Sequence, residues 1–341
     1  MKQVAALVFL ALCLALPAAA ADAAADAGAD LVGPHYLRLD DGRRINFHCE
    51  GQGTPAVVFD SGGEGSVLSW RKVFGAVAAR TRACVYDRPG MGYSDPPTKP
   101  VTAVSVTDDL REILAKAGVK GPVVIVGHSI GGFYATVYAD RFPAGIAGLV
   151  LLDPGFSGQV DPRPPESLAV DREHIRAGEA RLLDCAALAR AGGLSLADAK
   201  GCMSYPPPQA PEEVAYLGYI LGHPFWYETE YAQSRRFFLP EAGDGPSEDT
   251  LEERRLSRPF GDLPMIVLSA SDPPTRAWNT AAEQRAQVED WQAGHRRLAQ
   301  RSRIGRWRIV PGSGHYVALD QPDTVIAAID EVLARARGTG P

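Results

Sequence analysis

The chain has 341 residues and a formal net charge of −6. This acidic balance excludes nucleic acid or an anionic membrane surface as the expected partner, because both attract basic proteins. The length is sufficient for one large core, or for one domain that carries an inserted subdomain.

The N-terminus has the pattern of a secretory signal peptide over residues 1–21. Lys2 precedes an apolar block over residues 4–16, and four alanines follow at 18–21. An uncleaved membrane anchor is the alternative, but the block is shorter than the about 18 residues that a spanning helix needs, and Pro17 interrupts it. We therefore expect a secreted or periplasmic protein, with no stable membrane insertion after cleavage. Residues 22–33 are rich in alanine and aspartate and are predicted to form a disordered leader.

Strand and helix patterns alternate from residue 34 onward. The predicted strands are 36–39, 43–49, 56–60, 83–86, 123–126 and 148–152, and the predicted helices are 70–80, 106–117 and 133–142. Buried apolar strands that alternate with helices indicate a parallel α/β sheet, in which ligands bind at the carboxyl ends of the strands. The loop Ser61-Gly62-Gly63 lies at such an end, and its backbone N–H groups are available to a substrate. A plain tight turn is the alternative.

The segment Gly127-His128-Ser129-Ile130-Gly131 joins an apolar strand directly to a helix. A serine at such a joint is exposed at the helix N-terminus, and the residues two before and two after it must be small. The helix N-terminus favours negative charge, so the Ile130 N–H is expected to stabilise a developing oxyanion. The pattern predicts that Ser129 is a nucleophile; a serine in an ordinary turn is the alternative.

Residues 155–262 interrupt the alternation. They are rich in proline and carry helical patterns over 166–190, 196–202, 212–221 and 227–238, with no strand pattern. A segment this long cannot be a loop in a compact domain, so it is predicted to be a helical cap inserted over the sheet. Four of its aromatic residues are predicted to line an apolar substrate pocket: Phe225, Trp226, Tyr227 and Tyr231. The alternative is that these residues, with Phe237 and Phe238, form the core of the cap itself.

Two late strands each end near a titratable residue. The strand over 264–270 leads to Asp272, and the strand over 306–310 leads to His315. Serine hydrolysis needs an imidazole that takes the serine proton and a carboxylate that orients the imidazole. We predict Ser129, His315 and Asp272 as these three groups. Asp153, which ends the strand over 148–152, is the alternative acid.

With these motifs assembled, the chain resembles the α/β-hydrolase superfamily, and specifically its bacterial capped lipases, esterases and aminopeptidases. The resemblance is carried by Gly127-His128-Ser129-Ile130-Gly131-Gly132, by Tyr86-Asp87-Arg88-Pro89-Gly90-Met91-Gly92-Tyr93-Ser94, and by Gly314-His315-Tyr316. It implies a mostly parallel eight-stranded sheet with an antiparallel second strand and helices on both faces. The core would comprise residues 34–154 and 263–338. The Gly63 N–H would join that of Ile130 in the oxyanion hole, although many relatives have His-Gly where this chain has Ser61-Gly62.

The expected activity is cleavage of a small carboxylic ester through an acyl-enzyme, without a metal or organic cofactor. An aminopeptidase or amidase is the alternative, and Glu213, Glu228 and Glu230 are acidic cap residues that could bind a substrate ammonium. A non-catalytic ligand-binding protein on the same fold is the remote alternative. The resemblance argues against dehalogenases and epoxide hydrolases, because Ser129 replaces their aspartate nucleophile.

Four cysteines remain after signal cleavage, and an even number in an exported chain suggests disulfides. Cys185 and Cys202 lie on two neighbouring predicted helices, so we expect a disulfide that connects them. In the resembled fold the second strand lies beside the fourth, which makes Cys49 and Cys84 the second candidate pair. Two unbonded neighbouring thiols are the alternative for that pair.

Overall fold

The computed structural model describes residues 31, 33–159, 165–192, 194, 201–203, 211–240, 245–273, 275 and 278–340. The predicted signal peptide, nearly all of the predicted leader and most of the predicted helix over 196–202 lie outside these residues. None of the helices in the described ranges combines the length and the apolar character that crossing a membrane requires.

Eight strands form one sheet with the order β1-β2-β4-β3-β5-β6-β7-β8. The strands are β1 (Tyr36–Arg38), β2 (Arg44–Glu50), β3 (Val57–Asp60), β4 (Ala83–Tyr86), β5 (Val123–His128), β6 (Ile146–Leu152), β7 (Met265–Ala270) and β8 (Arg306–Val310). Strand β2 runs antiparallel to both of its neighbours, and all other neighbouring pairs are parallel. The expected α/β-hydrolase sheet is therefore confirmed.

Helices cover both faces of the sheet. They are α1 (Phe74–Ala78), α2 (Ala103–Lys116), α3 (Ile130–Arg141), α4 (Pro165–Arg190), α5 (Pro211–Leu221), α6 (Pro224–Phe238), α7 (Glu248–Leu256), α8 (Ala281–Ala299), α9 (Val317–Asp320) and α10 (Pro322–Ala336). Alternate residues of β5 point to opposite faces: Val124 belongs to the core cluster that contains Ile329 of α10, whereas Ile125 belongs to the cluster that contains Ala135 of α3. Strands covered on both faces must be apolar throughout, which explains why β5 reads as a continuous hydrophobic run.

The described part of residues 155–262 contributes four helices, α4 to α7, and none of the eight strands. Helices α4, α5 and α6 lie close to the predicted ranges, but α7 was not predicted. Its sequence is strongly polar, and its N-terminus is set by the Ser247 side chain, which accepts a hydrogen bond from the Thr250 N–H. The insertion contacts the carboxyl end of β4, because the Tyr216 hydroxyl donates to Asp87 at 3.0 Å.

Both predicted cysteine pairs form disulfides, Cys49–Cys84 and Cys185–Cys202. Cys49 and Cys84 are direct cross-strand neighbours in the antiparallel pairing of β2 with β4. Cys185 lies on α4, and Cys202 follows it after 17 residues in the same hydrophobic cluster. The second bridge therefore ties one end of α4 to the segment that leads toward α5.

Removing the second bridge should destabilise the protein measurably. A Cys185→Ala/Cys202→Ala variant is expected to lose about 3 kcal/mol of unfolding free energy, because closing a loop of this size restricts the unfolded chain. Urea unfolding of the variant and of the oxidised wild type measures the difference. Cys185 found as a free thiol in non-reduced peptides of the oxidised wild type would contradict the assignment.

Candidate active site

Ser129 lies in the strained turn that the sequence pattern predicts. Its backbone has φ 53° and ψ −124°, between the last residue of β5 and the first of α3. A Cβ on Gly127 would lie 2.6 Å from the Gly131 carbonyl oxygen, and one on Gly131 would lie 2.4 Å from the Asp60 carbonyl oxygen. Both glycines are therefore required by close backbone approach, and the strained turn leaves the Ser129 side chain partly exposed.

The glycine loop after β3 lies opposite the serine. Gly62, Gly63, Ser129 and His315 line one cavity of about 200 Å³. A Cβ on Gly62 would lie 2.8 Å from His128 Nδ1, so only glycine fits between the loop and β5. The two segments predicted to supply oxyanion N–H groups thus border the same cavity.

Arg88 fixes the orientation of the glycine loop. Its buried guanidinium donates to the Ser61 carbonyl at 2.5 Å and to the Gly62 carbonyl at 2.6 Å, and it pairs with the Asp60 carboxylate at 2.6 Å. The N–H of Gly63 points away from Arg88, because the carbonyl and the N–H of a trans peptide point in opposite directions. Sequence reasoning did not assign this role, although Arg88 belongs to the Asp-Arg-Pro-Gly motif that carried the resemblance.

Arg88→Lys should slow turnover without removing the positive charge beside Asp60. A lysine cannot span the two carbonyls, so the Gly63 N–H loses its fixed direction, and we expect kcat to fall by about 10²-fold with little change in KM. Arg44→Lys is the matched control. It alters the ion pair between Arg44 and Asp95 at the surface and should leave kcat unchanged. A wild-type kcat in a folded Arg88→Lys variant would rule out this role.

His315 is held from two sides. His128 Nε2 lies 2.8 Å from the His315 carbonyl oxygen, and the two rings lie 4.6 Å apart. Burial and the neighbouring His315 lower the pKa of His128 to about 3, so His128 stays neutral and donates from Nε2 to that carbonyl. His315 Nδ1 lies 2.6 Å from the Asp153 carboxylate. His128 therefore holds the His315 backbone, and Asp153 orients the His315 imidazole.

Asp153 is fully buried at the end of β6 and has a positive φ of 41°. The carboxylate oxygen that does not contact His315 accepts hydrogen bonds from the Trp291 indole at 2.8 Å and from the Ala270 N–H at 3.0 Å. Burial acts to raise the pKa of Asp153, but the hydrogen bond and charge of His315, with the Trp291 bond, hold it below the ordinary value. The carboxylate is thus ionised and fixed in one orientation.

The structure corrects the prediction of Asp272 as the acid. Asp272 is exposed, and its N–H donates to the Ser313 carbonyl at 3.0 Å. Among the described residues, the carboxylate bonded to His315 is that of the alternative, Asp153. Both aspartates follow neighbouring parallel strands, so chain order cannot separate them. The turn at Asp153 directs the buried carboxylate toward His315.

The predicted aromatic pocket is also corrected. A cavity of about 530 Å³ beside Ser129 and His315 is lined by Phe237, Phe238, Trp278 and Trp291, among others. Trp226 and Tyr227 are fully buried in the core, as the alternative held, and Phe225 and Tyr231 do not line this cavity. Positions 226 and 237 share one face of α6, but they are about 16 Å apart along its axis. Of the described residues of α6, those that line this cavity, Phe237 and Phe238, belong to its last turn.

Curated relatives match parts of the chain. An uncharacterized protein of Schizosaccharomyces pombe is 49% identical over 75 residues, which are 22% of this chain and 14% of that protein. The chain spans well under two thirds of the length of the first curated relatives that it matches.

Solved structures match over nearly the whole chain. A protein described as a lipase from Acinetobacter baumannii AYE has a TM-score of 0.63 at 19% identity, over 96% of this chain and 99% of that one. A thermophilic esterase from Thermogutta terrifontis has a TM-score of 0.57 at 20% identity, over 89% and 99% of the two chains. The likeness at these identities shows the fold. The Alpha/beta hydrolase family model matches residues 57–328, and the chain therefore belongs to that family.

Proposed function

We propose that this hydrolase cleaves carboxylic esters through Ser129, His315 and Asp153. The observation that carries the proposal is the 2.6 Å bond between His315 Nδ1 and the buried Asp153 carboxylate, on an imidazole that lines the same cavities as Ser129. The Asp153 bond keeps the proton of neutral His315 on Nδ1. The other ring nitrogen, Nε2, is then free to accept the Ser129 proton.

The reaction then follows the two steps of acyl transfer. Ser129 Oγ attacks the substrate carbonyl as His315 takes its proton, and the N–H groups of Ile130 and Gly63 stabilise the resulting oxyanion. His315 gives the proton to the leaving alcohol, and the acyl group stays on Ser129. Water then attacks the acyl-enzyme with His315 as base, which releases the acid and restores the serine.

The aromatic lining of the large cavity supports an ester with an apolar group. Aromatic side chains at its wall, Phe237, Phe238 and Trp291, offer a surface for a hydrocarbon chain next to the nucleophile. We propose that this cavity holds one apolar part of the ester. Residues 155–262 would act as the cap that covers it.

An exported location is part of the proposal. The N-terminal pattern of a signal peptide and the two disulfides both fit a secreted or periplasmic protein, because disulfides persist in oxidising compartments.

A fluorophosphonate probe tests the proposal directly, since it labels only an activated serine. We expect labelling at Ser129, and turnover of a p-nitrophenyl ester series that exceeds turnover of an aminoacyl-arylamide series. Unlabelled wild-type protein would overturn the serine mechanism. Preference for the arylamides would instead favour the aminopeptidase alternative.

A further inference from the structure

Residues 153–155, which follow β6, form a turn that we call the acid turn. The Asp153 N–H donates to the Leu268 carbonyl of β7 at 2.7 Å, and the Gly155 N–H donates to the Ser129 carbonyl at 2.8 Å. Asp153 has a positive φ of 41°, and a strained backbone of this kind persists only where its surroundings hold it. The acid turn therefore connects the candidate acid to the candidate nucleophile, and its geometry depends on the bonds that it makes.

His295, on α8, supplies a further bond to the acid turn. Its Nε2 lies 2.8 Å from the Pro154 carbonyl oxygen, and the residue is 0% exposed. Because a proline has no N–H, this carbonyl is the only backbone group through which Pro154 can be held by a hydrogen bond. Ester hydrolysis at Ser129 does not itself require this buried imidazole, so its place beside the acid turn needs another explanation.

The hydrogen bonds of His295 have a defined direction. A carbonyl oxygen only accepts, so His295 Nε2 carries a proton and donates to Pro154. Burial lowers the pKa of His295 to about 4, so the ring is neutral at pH 7 and its Nδ1 is an acceptor. The Ser269 hydroxyl donates to Nδ1 at 2.6 Å, and the Trp307 indole donates to that hydroxyl oxygen at 2.8 Å. Side chains of β7 and β8 therefore fix the tautomer that holds Pro154.

Trp291 and His295 lie on the same face of α8, because they are four residues apart. The Trp291 indole donates to the Asp153 carboxylate at 2.8 Å, and the rings of Trp291 and His295 lie 4.8 Å apart. One helix face thus bonds both the side chain of the candidate acid and the backbone next to it. The Trp291 bond fixes one carboxylate oxygen, whereas the bond from His295 fixes the peptide at Pro154.

Loss of the bond between His295 and Pro154 would leave a buried carbonyl without its donor and would allow the strained acid turn to relax. Such a shift moves the Asp153 carboxylate relative to His315 Nδ1, to which it is bonded at 2.6 Å. It also moves the N–H that bonds the Ser129 carbonyl. Misplacing a catalytic group by about 1 Å can lower turnover by about 10²-fold.

We propose that His295 is a positioning residue, whose neutral imidazole holds the Pro154 carbonyl and thereby keeps the Asp153 carboxylate aligned with the candidate base. The inference rests on the proposed ester hydrolysis and adds a residue to its machinery. His295 acts through the acid turn and not on the substrate, because its side chain is buried and lines neither of the two cavities beside Ser129.

Two amide substitutions separate the two bonds of His295. The amide nitrogen of glutamine is as many bonds from Cα as histidine Nε2 is, so His295→Gln can still donate to Pro154. The amide of asparagine reaches only as far as Nδ1, so His295→Asn keeps a partner for Ser269 and loses the Pro154 bond. We expect kcat for p-nitrophenyl butyrate to fall by about tenfold or more in His295→Asn, and by less than about threefold in His295→Gln, with KM little changed in both.

His223→Asn is the matched control. Nδ1 of His223 also lies against a carbonyl oxygen, that of Tyr219 at 2.6 Å, but the residue lines neither cavity beside Ser129. It should leave kcat unchanged, and thermal unfolding shows which variants are folded at the assay temperature. An unchanged kcat in folded His295→Asn protein would overturn the proposal, as would an equal loss of kcat in His295→Gln.

Ser269→Ala is a smaller change that serves if His295→Asn does not fold. It removes the donor to His295 Nδ1, so the ring is held less firmly against Pro154. We expect kcat to fall severalfold at an unchanged KM. An unchanged kcat in this variant would also contradict the role of His295.

Proton NMR tests the alignment without turnover. The short bond between His315 Nδ1 and the Asp153 carboxylate should give a strongly downfield proton resonance, which is identified by its loss in Asp153→Asn. We expect the resonance to persist in His295→Gln and to broaden or disappear in His295→Asn, because the bond opens to water more often when the acid turn moves. This result would stand even if the protein cleaved no ester. An unchanged resonance in His295→Asn, with normal ester turnover by the wild type, would overturn the role of His295 and leave the proposed function intact.

Discussion

Ser129→Ala should lower the turnover of p-nitrophenyl butyrate by about six orders of magnitude and leave the fold intact. The substitution removes one partly exposed hydroxyl and keeps the Cβ that the strained turn already accommodates. His315→Ala should cause a loss of similar size. The Ser129→Ala/His315→Ala protein should be no slower than either single variant, because the two groups act as a unit.

Steady-state kinetics and thermal unfolding of the same preparations check this expectation. Ser157→Ala is the matched control: its hydroxyl donates to the Thr250 carbonyl at 3.2 Å, and the residue lines none of the described cavities near Ser129. It should retain wild-type turnover. Clear ester hydrolysis by purified Ser129→Ala protein would contradict the assignment of the nucleophile.

Asp153→Asn should lower the acylation rate by about 10⁴-fold. The asparagine carbonyl can still accept from the Trp291 indole and the Ala270 N–H, as one Asp153 oxygen does now. The amide nitrogen then faces His315 Nδ1 and donates to it, so the imidazole proton moves to Nε2 and the base faces the wrong way. The protein should remain folded while the reaction slows.

Asp272→Asn is the matched comparison, because it makes the same change at an exposed aspartate that follows the neighbouring strand, β7. We expect it to alter the acylation rate by less than about threefold, as surface substitutions usually have small effects. Pre-steady-state measurement of p-nitrophenol release compares the two variants. The reverse ranking would show that Asp272 is the acid in solution and that the pairing of Asp153 with His315 does not persist there.

Much of the site could be predicted because its determinants are local. Gly127 and Gly131 flank Ser129 at the spacing that a strand-to-helix turn requires, and both are confirmed as positions of close backbone approach. The buried strand β5 is a continuous apolar run, so its place inside a parallel sheet follows from composition alone. The link between Cys185 and Cys202 likewise joins neighbouring segments of the chain.

Other features depend on contacts between distant segments. Asp153 and Asp272 each follow a predicted apolar strand, so the local sequence does not distinguish them. The backbone turn at Asp153 and the hydrogen bond from the Trp291 indole, 138 residues later in the chain, direct the Asp153 carboxylate to His315. Phe237 lines the large cavity beside Ser129 and Trp226 does not, because the placement of α6 determines which of its turns borders that cavity. Helical periodicity predicts which face of a helix a residue occupies, but it does not predict where that residue lies over the sheet.

The candidate nucleophile Ser129, the candidate base His315 and the α/β sheet thus follow from the sequence by itself, because close backbone approach and strand burial restrict residue type within a few positions. Only the tertiary structure decided which carboxylate is bonded to His315 and which aromatic side chains line the large cavity beside Ser129. Phe237 and Phe238 belong to the insertion, whereas Trp291 belongs to α8, and no local pattern connects them. Their proximity depends on how the insertion packs against the carboxyl edge of the sheet, which involves contacts between residues more than a hundred positions apart.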